Sequence, residues 1–424
     1  MNRILKARLI IVLFIITLCC GCKINEDSSY ALHLEKVSQM EQTAGNTYIS
    51  GVRTGISRTG LVWSNHAFEC TDDGVYFLSH LIPCIYDDET LDVGTSTFLF
   101  FAPHNSDSMI KLCGRPDCTH DTVDCNACFR DAAGGVTYYN GYLYIPVYQW
   151  NGSEIFDLYR INLDGTNRIK VGSFGDRSKY HGASQVLIID GVFTFNLSRI
   201  DEDSGLNIAD RFFYALDGSM TEPSLATNSF SHLNQESMDV RIVQKNGKLS
   251  YMIYSVDFRD DDWELVYVTA FSGQGYWGKD TGYLLSDNAV IKVSYKDGHE
   301  EVLFETGLEG SYHPRFFPDC VILTQTEDAE GNLPEIPMLY FYSWEGELLG
   351  KLAVDFPYTV PSVEALINGE TKDQIYLWTS LESGTLPEYY INKSDFGTGR
   401  IELHRVQYPD FDSQTMRLLF AGWE

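Results

Sequence analysis

The stretch Asn140-Gly141-Tyr142-Leu143-Tyr144-Ile145, with Leu158-Tyr159-Arg160-Ile161-Asn162-Leu163 and Asp164-Gly165 following it, decides how this chain folds. Asn-Gly and Asp-Gly beside alternating aromatic and aliphatic runs mark β-hairpins, because a type I′ turn needs positive φ at both central residues. The first turn returns as Asp73-Gly74 before Val75-Tyr76-Phe77-Leu78, as Asp190-Gly191 before Val192-Phe193-Thr194-Phe195, and as Asn246-Gly247 before Lys248-Leu249-Ser250-Tyr251. Weaker copies stand at Pro318-Asp319-Cys320 and Asn368-Gly369. The second turn returns as Asp217-Gly218, Asp297-Gly298 and Glu345-Gly346, each closing a run such as Val290-Ile291-Lys292-Val293-Ser294-Tyr295.

Two hairpin turns per unit imply about four strands per unit, and the unit recurs roughly every 50 to 70 residues. A fixed supersecondary unit with variable loops is how a β-propeller reads in sequence. The expectation is an all-β fold with almost no helix after residue 47. Six recognisable units argue for six blades. Seven fit if residues 47–72 and a C-terminal strand around Met416–Phe420 combine, which would also close the ring and remove exposed strand edges. The competing architecture is a β-sandwich, or two stacked β-domains.

The N-terminus divides the chain. Basic Arg3, Lys6 and Arg8 precede an apolar run from Leu9 to Leu18, then Cys19-Cys20-Gly21-Cys22. Charged head, short apolar segment and small residues are the marks of a secretory signal, and the run is too short to span a bilayer as a helix. The organisation expected is a signal over 1–21, a polar tether over 22–46 and a propeller domain over 47–424 with a Cys/His-rich insertion at 113–128. Gly21-Cys22 resembles the bacterial lipobox, although Cys19 stands where a Leu is usual. That resemblance implies a diacylglycerol on Cys22 and a protein anchored by lipid to the outer side of the cell membrane.

Composition narrows the partners. Net charge is −28, and such a surface repels phosphate backbones, so nucleic-acid binding is disfavoured. Cationic partners or divalent ions suit it better. Apolar residues make up 44% and aromatics 13% of the chain, enough to bury a large core and too much for a disordered one. With the signal removed and Cys22 acylated, the remaining cysteines are Cys70, Cys84, Cys113, Cys118, Cys125, Cys128 and Cys320. That odd number cannot pair off completely in disulfides.

Five donors crowd one segment: Cys113, Cys118, His120, Cys125 and Cys128 read C-x4-C-x-H-x4-C-x2-C. Three thiolates and one imidazole make a closed structural zinc site, whereas oxidising surroundings favour a disulfide-stapled loop. A redox site is the third reading. Cys113, Cys118, His120 and Cys125 are expected to meet at one point and fix the insertion to the propeller body, since Arg115, Asp117, Thr119 and Asp121 between them are too polar for a core run. A metal would bring the four donors within about 4 Å of one another. A disulfide would place two sulfurs about 2.05 Å apart and leave His120 pointing away.

The lipobox, the repeated units and the segment Leu112-Cys113-Gly114-Arg115-Pro116-Asp117-Cys118-Thr119-His120 with Asp124-Cys125-Asn126-Ala127 resemble a family of Firmicutes lipoproteins treated as TolB-like, six-bladed propellers of unknown function. The resemblance implies the architecture and the compartment and brings no catalytic residues. An aromatic often stands in that family where this chain has Cys128.

Other motifs are weaker. Gly273-Gln274-Gly275-Tyr276-Trp277-Gly278-Lys279-Asp280 imitates a phosphate-binding loop, but it lies between β-runs with no helix to supply a dipole or amide array, so a long flexible blade loop is expected. The acidic runs Asp201-Glu202-Asp203 and Asp260-Asp261-Asp262 lack EF-hand spacing and read as solvated loop tips. Gly-x-Ser-x-Gly and HExxH are missing. Tyr276, Trp277 and Trp263 are candidates to stack on sugar rings or peptide side chains. The function expected is a non-catalytic binding or scaffold module for a peptide, protein or glycan at one propeller mouth. The alternative is a glycan hydrolase or lyase using channel carboxylates. An assembly factor would instead show a large apolar rim.

Overall fold

In a computed structural model the chain is described over residues 68–411, except 88–91, 131–134, 150–151, 190, 202–204, 220–222, 226–237, 246–247, 258–261, 270–274, 279, 333, 335, 337, 354–366 and 378–385. The expected signal, the acylated Cys22, the tether, residues 47–67 and the Met416–Phe420 strand lie outside the described residues. Among those described there is no α-helix, and a single 3-10 turn spans Lys393–Asp395.

Among the described residues the strands form seven antiparallel sheets, each a meander of consecutive strands except that the fifth strand of the first sheet returns to pair with its third. The first holds β1 (Phe68–Cys70), β2 (Gly74–Asp87), β3 (Asp92–Pro103), β4 (Ile110–Lys111) and β5 (Cys128–Phe129). The second holds β6 (Thr137–Tyr139), β7 (Tyr142–Tyr148), β8 (Glu154–Asn162) and β9 (Ile169–Asp176). The third runs from β10 (Gly182–Ile189) through β11 (Val192–Ile200) and β12 (Asn207–Ala215) to β13 (Ser224–Leu225), and the fourth comprises β14 (Met238–Lys245), β15 (Lys248–Asp257) and β16 (Asp262–Thr269). The fifth is β17 (Gly275–Trp277), β18 (Thr281–Ser286), β19 (Ala289–Ser294) and β20 (Glu300–Glu305). The sixth is β21 (Ser311–Phe316), β22 (Val321–Glu327), β23 (Met338–Tyr342) and β24 (Leu348–Ala353), and the seventh is β25 (Ile367–Glu370), β26 (Gln374–Leu377), β27 (Tyr389–Asn392) and β28 (His404–Arg405).

This is a β-propeller, and the core shows why. Apolar side chains gather between successive sheets. Phe156 and Phe174 of the second sheet meet Phe193 and Phe195 of the third, with Phe156 and Phe195 ring centroids 4.9 Å apart. Ile253 and Tyr267 of the fourth pack on Trp277 and Leu284 of the fifth. Val290 and Phe304 of the fifth pack on Val321 and Leu323 of the sixth, and Phe341 of the sixth packs with Ile375 of the seventh. The ring closes where Tyr376 and Tyr408 join the core of the first sheet. There the Met109 N–H donates to the Gln407 carbonyl at 2.8 Å. Second strands are sandwiched between neighbours, so β7 and β11 are buried on both faces along most of their length. Outer strands such as β24 keep part of their residues, here Leu348, Lys351 and Ala353, in water.

The expected turns are present. Asn140 and Gly141 both have positive φ, 48° and 84°, and Asp297-Gly298 and Glu345-Gly346 turn between the last two strands of their sheets. Two readings need correction. Asn368-Gly369 lies inside β25, and the turn itself is Thr371–Gln374, closed by the Gln374 carbonyl accepting from the Thr371 N–H at 2.7 Å. Within the phosphate-loop imitation, Gly275–Trp277 are strand where a flexible loop was expected: β17 and β18 pair as the first hairpin of the fifth sheet, Tyr276 opposite Tyr283. Its turn, Gly278 to Thr281, has no Asn-Gly or Asp-Gly, so the long interval between Gly247 and Asp319 conceals a whole sheet. Trp277 is core, 1% exposed, and Tyr276 stacks on Tyr283; neither stands on a loop tip to read a sugar. The Trp263 side chain and Glu202, Asp203, Asp260 and Asp261 lie outside the description.

The sixth and seventh sheets are also tied by charge. The Lys393 ammonium reaches the Asp319 carboxylate at 2.9 Å and that of Glu370 as well. Burial pushes the Glu370 carboxyl up to about 8, against the pull of Lys393. Burial opposes the Lys393 charge, yet the two carboxylates hold its pKa above the ordinary lysine value.

Candidate metal centre

The Cys/His segment interrupts a strand. β4 pairs with β3 through Phe101↔Ile110 and Phe100↔Lys111, and β5 pairs with the same strand further along through Phe98↔Cys128 and Thr97↔Phe129. The outermost strand of the first sheet is thus made in two pieces, and residues 112–127 loop out between them. Backbone bonds pin both ends of the loop, from the Leu112 N–H to the Leu99 carbonyl and from the Leu99 N–H to the Ala127 carbonyl, each 2.8 Å.

Tight turns fold the donors inward. The Cys118 N–H donates to Arg115, the Cys125 N–H to Thr122 and the Cys128 N–H to Cys125. His120 has a φ of 60°, a left-handed conformation uncommon for a residue with a side chain. Its Nδ1 lies 3.5 Å from the Cys125 sulfur. The donor atoms of Cys113, Cys118, His120 and Cys125 all lie within 4.8 Å of one another. Cys125 is buried and the other three are half-buried.

The spread is slightly wider than expected. Tetrahedral zinc with sulfur at about 2.3 Å sets sulfurs about 3.8 Å apart, so the set closes on an ion by an inward movement of about 1 Å. The three thiols are in no disulfide, and neither are Cys70, Cys128 and Cys320. Burial pushes the Cys113 thiol up, but bonds from the backbone at Arg115 and Asn126 and from the Cys125 and Cys118 side chains outweigh it and leave its pKa below the ordinary value. Burial pushes the Cys125 thiol well up, and Cys113 and Cys118 beside it add to the rise. Three sulfurs gathered with one nitrogen suit a borderline-soft divalent metal. All four positions come from protein, so the set has the closed form of a structural site.

Cys128 stays out of the cluster. It is a β5 residue packed in the first core beside Ala127 and Phe129, a small buried hydrophobe.

The loop is held by the second sheet. The Gly114 N–H donates to the Gly165 carbonyl at 3.1 Å, and the Asn126 amide donates to the same oxygen at 2.9 Å. Here the chains touch backbone to backbone. A Cβ on Gly114 would stand 2.3 Å from Thr166 Cγ2 and 2.8 Å from the Asp164 carbonyl oxygen, and one on Gly165 would stand 2.8 Å from the Gly114 nitrogen. Lys111 caps the other side, donating from Nζ to the His120 carbonyl at 2.7 Å above the Phe98 ring. Asn126 and Gly114 lie within the segment that the cysteine spacing marks. Gly165 carries no such signal, because it comes from the turn between β8 and β9.

No protein-family model matches this chain, and no curated protein matches it. Among solved structures, a puromycin hydrolase aligns with 85% of this chain and 57% of its own at 11% identity and a TM-score of 0.46. A prolyl endopeptidase aligns with 91% of this chain and 56% of its own at 11% identity and a TM-score of 0.45. The propeller domain of the Trilobed protease from Pyrococcus furiosus aligns with 64% of this chain and 83% of its own at 14% identity and a TM-score of 0.37. The chain spans little more than half the length of the first two. At these values the likenesses bear on no activity, and the architecture stands on the seven sheets themselves.

Proposed function

We propose that this chain is an extracytoplasmic β-propeller, anchored through lipid on Cys22, that binds a peptide, protein or glycan at one propeller mouth without catalysing a reaction. Its Cys113–Cys118–His120–Cys125 centre holds a structural zinc. The observation that carries this reading is the convergence of four protein donors within 4.8 Å on a loop gripped by two adjacent sheets. A closed donor set leaves no position for a substrate or an activated water, so the ion would supply rigidity. Binding follows from architecture. Meanders of consecutive strands bring loops from every sheet to the same end of the ring, where a ligand can be read by many short segments without any single motif.

The test uses the full-length chain purified in detergent. Metal analysis should return about one zinc per chain, the stoichiometry of a four-ligand site, and Cys22→Ala should release the protein from membranes. Incubation with envelope glycans and peptides should give complexes without cleavage products. Turnover of a glycan would replace this reading with the hydrolase or lyase.

A further inference from the structure

Arg168 reaches into the back of the cysteine loop, and it belongs to the neighbouring sheet. It stands immediately before β9. Its guanidinium donates to the Cys125 carbonyl at 2.9 Å, to the Cys128 carbonyl and to the Val123 carbonyl at 3.3 Å. It also lies over the Phe129 ring, 5.5 Å from the centroid, and 6.0 Å from that of Tyr159. Phe129 belongs to the first sheet and Tyr159 to the second, and their rings meet edge to face at 5.7 Å. One side chain therefore gathers three carbonyls of the ligand-bearing loop and fills the junction between two sheets.

The chemistry explains why an arginine does this. A planar guanidinium carries five donors in a fixed fork, which can serve three carbonyls at once, whereas an ammonium is a compact point charge. One of the three carbonyls is that of Cys125 itself, the buried ligand. Fixing its peptide plane fixes the direction in which its Cα–Cβ bond leaves the chain, and so where Sγ points.

We propose that Arg168 is the positioning residue of the metal centre, so that zinc affinity and the docking of the β8–β9 turn against the first sheet form one coupled equilibrium. This rests on the zinc reading above. Outer-shell groups that orient ligands typically change metal affinity about 10- to 100-fold when removed. Coupling of this kind is reciprocal, so whatever docking contributes to zinc binding, zinc contributes equally to docking. The Gly114 N–H, bonded to Gly165 across the junction, reports the docked state.

The experiment compares the full chain with Arg168→Met, which keeps an unbranched apolar stem, and Arg168→Lys, which keeps the charge and loses the fork. Zinc dissociation constants are measured by competition with a chromophoric chelator. The cobalt-substituted proteins are compared by their thiolate charge-transfer and d–d absorption, and the melting temperatures of the metal-free proteins are recorded. Arg168→Met is expected to weaken zinc about 10- to 100-fold and to alter the cobalt spectrum, with Arg168→Lys intermediate. Zinc should slow hydrogen exchange at the Gly114 amide in the unaltered protein and much less in Arg168→Met. Variants that bind zinc as tightly as the unaltered protein, with only the metal-free melting temperature lowered, would show a purely structural arginine and overturn the proposal. If Arg168→Met does not fold, the dissociation constant and spectrum of Arg168→Lys decide in the same way. An unaltered chain that takes up no zinc overturns the zinc reading itself, and the coupling with it.

Discussion

Glu370→Gln should stabilise this protein strongly at pH 8 and only slightly at pH 5. Glu370 ends the inner strand of the seventh sheet, almost wholly buried, facing the Lys393 ammonium that Asp319 also engages. Burial raises its pKa from 4.5 to about 8. Between those values the unfolded chain has lost the proton and the folded chain has kept it. The folded state thus binds more protons, and stability must fall as pH rises through the window. At about 1.4 kcal/mol per pH unit, the difference accumulates to at most about 5 kcal/mol by pH 8. Glutamine reproduces the neutral carboxyl and has no proton to lose. Urea unfolding of both proteins at pH 5, 6.5 and 8 isolates this one group, since every other titration is common to the two. The expected result is a small gap at pH 5 favouring Glu370→Gln that widens with pH. Destabilisation of the variant at pH 8 by about 3–5 kcal/mol, the usual consequence of removing one partner of a buried ion pair, would mean that Lys393 keeps the carboxylate ionised. The reasoning from burial would then be wrong.

Other expectations follow from close contacts and from the core. Gly114→Ala should wedge the cysteine loop off the Asp164–Thr166 turn, because its Cβ meets backbone atoms that cannot step aside. Overpacking of about 1–3 kcal/mol should weaken zinc roughly 5- to 150-fold if it falls on the bound state, and unchanged affinity in a chelator titration would place the contact elsewhere. Trp277→Ala should destabilise by about 3–5 kcal/mol, since the indole fills the core between the fourth and fifth sheets; a loss of glycan or peptide binding at full stability would restore it as a ligand reader. Cys125→Ser should abolish stoichiometric zinc, and calorimetry should show a lower melting temperature. With zinc at about 1,000 times its dissociation constant, the binding contribution lost is roughly 4 kcal/mol.

The sequence by itself determined the class of fold and the membership of the candidate metal centre. Both are local properties. Asn140-Gly141 makes its hairpin because positive φ at two adjacent positions selects those residues, and that chemistry acts over a few bonds. Cys113, Cys118, His120 and Cys125 are close in sequence, so a loop of ordinary turns suffices to bring them together. The fifth sheet escaped for the same reason in reverse. Its first hairpin turns at Gly278–Thr281 without the usual dipeptide, and its place is secured by Trp277 packing against Ile253 and Tyr267 from the sheet before.

Only the tertiary structure decided what lies beside what. Trp277 reads as a loop aromatic until a neighbouring sheet covers it. Glu370, Asp319 and Lys393 are unremarkable surface residue types until the sixth and seventh sheets place all three at one junction and exclude water from two of them. Arg168 looks like any charge at the end of a turn, and nothing near it in the chain points to the cysteines. Its three carbonyl partners become available because the first sheet's outer strand breaks open at Leu112 and closes again at Cys128, presenting the back of the loop to the sheet that follows. Turn chemistry is written into adjacent residues, whereas burial and the contacts between sheets exist only once the ring has closed.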